Sequence, residues 1–205
     1  MSGSIDFDDV AEKQRRVDRF ENFKLYDKHY HMILGFYGDR VAERSGIPHI
    51  NHIDEGLFIL AAVGATDETM QAWCLHPIVQ PDEDLRNAID DSFAVDEADV
   101  PPLLLAMEYR AVANSYLSPM DLEETEKVKL RHRVNRFEEV RFMLVADKIQ
   151  NHKDFIRQPE GTYPNEKRLQ EYFVDWILNI LELNVEAMSY LTEIIIDETK
   201  FLPET

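Results

Sequence analysis

Apolar residues recur at a spacing near 3.6 along almost the whole chain, and very little interrupts them. From Arg168 to Leu183 they fall at Leu169, Tyr172, Phe173, Trp176, Ile177, Ile180 and Leu181, which places them along one side of a helix. The stretch from Phe137 to Phe155 reads the same way, with Val140, Met143, Leu144 and Ile149 on its apolar side. Only 7 glycines occur in 205 residues, so long runs proceed without a breaker. The one β-branched run, Ile194-Ile195-Ile196, has flanks that read as helix. The spacing predicts an all-α fold, with further helices at about 7–34, 51–64, 66–76, 82–91, 101–117, 121–134 and 185–200. Gly46-Ile47-Pro48 precedes one of these. Pro101-Pro102 opens another, because proline is tolerated in a first turn. Ser118-Pro119 closes that helix, Asp121 can cap the next, and Gln158 to Pro164 is the clearest loop.

At this length, and 44% hydrophobic, the chain can bury one sizeable core as a single domain over 1–205. It shows no internal repeat. No apolar run reaches the roughly 18 residues of a membrane span, and the acidic start MSGSIDFDDV lacks the pattern of a secretory signal. The lone cysteine, Cys74, cannot build a disulfide framework, so a reducing, cytoplasmic setting is expected. Net charge is −18, from 40 acidic and 22 basic residues. Such a surface repels a phosphate polymer, so no nucleic-acid partner is expected. A small anionic ligand remains compatible where Lys and Arg gather locally. The apolar helical stretches at the two ends, Val10 to Leu34 and Val185 to Leu202, would either mediate a homodimer or cap the domain.

Three segments carry chemistry. Gly46-Ile-Pro-His-Ile-Asn-His-Ile holds His52. Ala72-Trp-Cys-Leu-His-Pro holds His76. Leu144-Val-Ala-Asp-Lys-Ile-Gln-Asn holds Asp147, Lys148 and Asn151. Polar side chains set among Leu, Val and Ile are costly to bury without partners. A metal ion would satisfy His52, His76 and Asp147 together; three separate hydrogen bonds would do so too.

These segments resemble the metal-dependent HD phosphohydrolases, above all the hydrolase domain of the RelA/SpoT homologues. That family carries Arg, Gly-x-Pro-Tyr-Ile-x-His-Pro, Ala-x-Leu-His-Asp and Leu-Ala-Asp-Lys-Leu-x-Asn in this order. Here the matching stretches are Arg44-Ser-Gly-Ile-Pro-His-Ile-Asn-His-Ile, Ala72-Trp-Cys-Leu-His-Pro and Val145-Ala-Asp-Lys-Ile-Gln-Asn. The likeness covers about 36–183. It implies an HD-like helical bundle holding one divalent ion, usually manganese, that orients water for attack on a phosphate ester or anhydride. It makes His52, His76 and Asp147 the metal ligands. Arg44, Lys148 and Asn151 would bind a small anionic nucleotide or support the site.

The chain departs from the family at two places. Pro77 stands where the family has the ligand Asp after the second His, and proline offers no ligand atom. Gln80-Pro81 replaces a Glu-Asp pair that helps to activate water. Gln80 can position a water but cannot take its proton. A shifted loop would let Asp82 fill that role; equally, Asp82, Glu83 and Asp84 are a normal acidic first turn. Arg110 and Asn114, four apart on one helical face, would clamp phosphate oxygens or form a surface pair. The basic run from Lys127 to Arg141 reads as a solvated, ion-paired helix. Two functions follow from the resemblance: a divalent-metal phosphohydrolase of a nucleotide, of the (p)ppGpp kind, or an HD scaffold that has lost hydrolysis and binds a nucleotide or a protein.

Overall fold

The computed structural model describes residues 10–42, 46–90, 99–159, 161 and 163–198, and among these the fold is all-α. Ten α-helices follow one another: α1 Val10–Tyr26, α2 Lys28–Tyr37, α3 Ile50–Ala62, α4 Asp67–Val79, α5 Asp82–Asp90, α6 Val100–Ser115, α7 Glu124–Val134, α8 Glu138–Arg157, α9 Glu166–Val174 and α10 Val185–Glu198. A short π-helical segment, Asp175–Ile180, follows α9. No helix among the described residues is long and apolar enough to cross a membrane.

The centre of the bundle is α4. Its apolar residues point in every direction instead of forming a stripe, and Met70, Ala72, Trp73, Cys74, Leu75, Ile78 and Val79 are all buried. A helix that is apolar all round must be enclosed, and α4 is packed by α2, α3, α6 and α8. Its start is fixed by Thr66, whose hydroxyl accepts from the Thr69 N–H at 3.2 Å, with Asp67 and Glu68 in the first turn. Helix α3 ends at Gly64, whose φ of 71° favours glycine. Helices α3 and α8 pack together and share a buried ion pair. Lys153 Nζ lies 2.5 Å from each Glu55 oxygen.

The observed boundaries differ most from the expected ones at four places. The helix expected over 121–134 starts at Glu124 with Glu123 at its N-cap, and Asp121, expected to cap it, ends a separate 3-10 turn, Pro119–Asp121. The single helix expected over 7–34 divides at Asp27, which caps α2 by accepting from the His29 N–H at 2.8 Å. The helix expected to stop at His76 runs on to Val79 with Pro77 inside it. An internal proline costs about 3 kcal/mol, and here the buried Ile78 and Val79 offset it. The helix expected from Arg168 to Leu183 becomes α9 plus the π segment, with Leu181 N–H donating to the Trp176 carbonyl five residues back. The wider turn lets Trp176, Ile177, Ile180 and Leu181 all enter the core. The described parts of both terminal stretches cap the domain: α1 packs on α3, and α10 on α3 and α8.

A second buried charge cluster joins α2, α4 and α6. His29 Nδ1 is 2.9 Å from Asp27 Oδ1, and Nε2 is 2.7 Å from Asp99 Oδ1. Lys28 Nζ also reaches Asp99 at 2.7 Å, and Gln71 donates to Asp27 at 2.8 Å. Ionised carboxylates only accept, so both ring nitrogens carry protons and His29 is an imidazolium. Burial opposes that charge, but Asp27 and Asp99 outweigh it and raise the His29 pKa above 6.5. A group whose pKa is raised by folding contributes fully below its unfolded value and loses that contribution as pH rises through the folded value. His29→Gln is therefore expected to lower the melting temperature more at pH 6 than at pH 9. Equal losses at both pH values would refute the imidazolium.

Candidate metal centre

His52 lies in the first turn of α3, His76 near the end of α4 and Asp147 in the middle of α8. All three line one cleft of about 320 Å³, together with Gln80, Gln150 and Asn151. The small antiparallel bridge between Val41 and Pro48 forms its rim and brings His49 beside it.

Each imidazole is held from behind. His52 Nδ1 is 2.8 Å from Gln150 Oε1. The direction of that bond follows from the rest of the amide. Gln150 Nε2 donates to Glu55 at 3.1 Å and to Asp154 at 2.6 Å, so both amide protons are spent on carboxylates. The oxygen must then face His52, and His52 Nδ1 carries a proton that it donates. His76 Nδ1 is 2.6 Å from the Trp73 carbonyl, which can only accept. Its proton is therefore also on Nδ1. Burial first, and then the neighbouring His52, push the His76 pKa down to about 3, so this ring is neutral.

His76 Nε2 is left as a bare lone pair, and it faces His52 Nε2 at 3.4 Å. Two imidazole nitrogens at that distance share a proton or a cation between them. Two imidazole nitrogens each about 2.1 Å from one ion lie roughly 3.0–3.4 Å apart, so the pair fits a divalent cation. Asp147 borders the pair with both oxygens engaged: Oδ2 is 2.7 Å from Lys148 Nζ and Oδ1 accepts from Asn151 at 2.7 Å. Burial would raise its pKa, but the charges of Lys148 and His52 hold it low and the carboxylate is ionised. With Asp147 turned this way, no group of three or more His, Cys, Asp or Glu side chains closes at ligating distance among the described residues.

Trp73 supports both histidines. Its ring centroid is 4.2 Å from that of His76 and 4.9 Å from that of His52. Its indole N–H donates to the Ile53 carbonyl at 3.1 Å. Space for the ring comes from Gly56, where a Cβ would stand 2.2 Å from Trp73 Cζ2.

The remaining expected residues divide between the cleft and its surroundings. Lys148 is buried between Asp147 and the Tyr172 hydroxyl, 3.0 Å away, and lies over the Trp176 ring at 5.0 Å. With Asn151 it also lines an adjoining cavity of about 690 Å³ that holds Tyr163, Tyr172 and Asp154. Arg110 and Asn114 are not among the residues lining the cleft. They donate to the Gln80 carbonyl at 2.9 and 3.1 Å and so tie down the end of α4. Asp82 is exposed in the first turn of α5 and pairs with Arg110. Arg44 lies outside the described residues.

Gln150, Glu55, Asp154, Lys153 and Trp73 belong to this centre without having been singled out in the sequence. The available signal was charge and amide within apolar helices: Glu55 before Gly56-Leu-Phe-Ile-Leu, and Gln150 and Lys153 within α8. Gly56→Ala is expected to cost about 1–3 kcal/mol in urea unfolding by overpacking Trp73. Gly35→Ala, on a helix with nothing within 4 Å, is expected to stabilise by about 0.5–1 kcal/mol. Equal effects at the two sites would refute the close contact.

Compared with known proteins, the chain matches no protein-family model, no curated protein and no solved structure.

Proposed function

We propose that this chain is an HD-like, divalent-metal-dependent phosphohydrolase acting on a nucleotide, of the (p)ppGpp kind. The observation that carries this reading is the pair of imidazole nitrogens facing each other at 3.4 Å beside an ionised, buried carboxylate. His52 and His76 would hold the ion and Asp147 would supply the carboxylate. Manganese is the ion that the resemblance implies. When bound, it would supply positive charge and a lowered pKa for a coordinated water.

The chain's own groups set the conditions around that ion. Gln150 and the Trp73 carbonyl each accept from an Nδ1 and so turn both Nε2 atoms toward the cleft. Asn151 and Lys148 hold the Asp147 carboxylate, and Lys148 keeps it ionised. Gln80, on the cleft wall, can orient a water through hydrogen bonds. The adjoining cavity is lined by Tyr163 and Tyr172, aromatic side chains suited to a planar group. A cytoplasmic setting belongs to the same reading: Cys74 is buried, and burial pushes its thiol pKa well up, so nothing calls for an oxidising compartment.

A second reading, a binding module without hydrolysis, draws on Pro77 and Gln80. Neither side chain can accept a proton where the resemblance places acids.

Protein purified without chelator is expected to bind about one manganese ion by calorimetry, to lose it in His76→Ala, and to bind it more weakly in His52→Gln. With manganese present, guanosine tetraphosphate is expected to be hydrolysed, and His76→Ala should abolish turnover. Tight nucleotide binding without turnover would favour the binding module. If the chain binds neither metal nor nucleotide, the hydrolase reading is overturned and only a protein-binding module is left.

A further inference from the structure

Pro77 takes the place of the aspartate that the resemblance implies after the second histidine, and it stands inside α4, not at its end. In an α-helix the N–H of residue 77 would donate to the carbonyl four positions earlier, that of residue 73. Proline has no N–H, and its ring crowds that same carbonyl. The Trp73 carbonyl is thereby released from the helix ladder, and it is the group that accepts from His76 Nδ1 at 2.6 Å. Beyond the gap the ladder continues to the end of α4, where the Gln80 N–H donates to the His76 carbonyl at 2.9 Å. The gap in the ladder thus coincides with the one acceptor that the imidazole uses. Trp73 is fully buried and His76 only 2% exposed, which leaves the ring few other partners.

We propose that Pro77 is a positioning residue for His76. By withholding a backbone N–H it assigns the Trp73 carbonyl to the imidazole. That bond keeps the proton on Nδ1 and turns the bare Nε2 toward His52 and the cleft. The two Nδ1 protons are held by separate routes, one through a side-chain amide and the other through a backbone carbonyl freed by proline. The purpose of the arrangement rests on the divalent-ion reading above; the state of the ring does not.

Pro77→Ala separates positioning from folding, because alanine restores the N–H and is the best helix former. In metal-free wild type at neutral pH, ¹⁵N correlation spectra are expected to show His76 protonated at Nδ1 and bare at Nε2. In Pro77→Ala the Nε2–H form should gain population. Manganese affinity should fall about 10–100-fold, the range for losing a group that orients a metal-bound histidine. The melting temperature should not fall. The proposal is overturned if wild-type His76 carries its proton on Nε2. It is equally overturned if Pro77→Ala keeps both the Nδ1–H form and the affinity. Should the wild type bind no manganese, the metal reading falls, and the ring state still decides the role of Pro77.

Discussion

The cleft depends on a buried ion pair that none of its residues could do without. Lys153 and Glu55 meet across the α3–α8 interface, 1% and 4% exposed at the side chain. Removing either partner of such a pair leaves an uncompensated charge in the core, typically 3–5 kcal/mol. The pair therefore fixes how α3 and α8 slide past one another. The same Glu55 carboxylate accepts from Gln150, and Gln150 is what orients His52. Helix register, side-chain amide and imidazole orientation form one chain of dependence, each step requiring the one before it.

Much of the fold could be read from the sequence, because helical periodicity is a local property. Leu169 to Leu181 and Val140 to Ile149 announced their helices directly. Boundaries were less legible. Asp27 interrupts a continuous apolar pattern through a cap that depends on its own χ1, and Pro77 is carried within a helix because of what surrounds α4. In the site, His52, His76 and Asp147 were visible as polar residues in apolar segments, and they do line one cleft. Arg110, Asn114 and Asp82 were equally conspicuous, yet they gather at the α4–α5 corner. Charge and spacing alone do not tell a ligand clamp from a group that finishes a helix. Gln150 and Trp73 stayed hidden because their roles are defined by residues 98 and 20 positions away.

The acidity of the chain acquires a local meaning at this cleft. A net charge of −18 raises the concentration of small cations around the molecule and lowers that of polyanions. Within the cleft, Asp147 is paired with Lys148, while the single Lys153 faces both Glu55 and Asp154. The wall behind the two histidines thus holds one carboxylate more than it holds lysines, which favours an added cation.

The enclosure of α4 has a consequence for how the chain is made. Its apolar faces are covered by α2 and α3, which precede it, and by α6 and α8, which follow. During synthesis α4 leaves the ribosome well before α8, which ends at Arg157. Until then a segment running from Met70 to Val79 has only half of its covering and presents Trp73, Leu75 and Ile78 to other chains. Helix α4 is thus both the seat of one histidine and a stretch whose apolar covering is completed only late in translation.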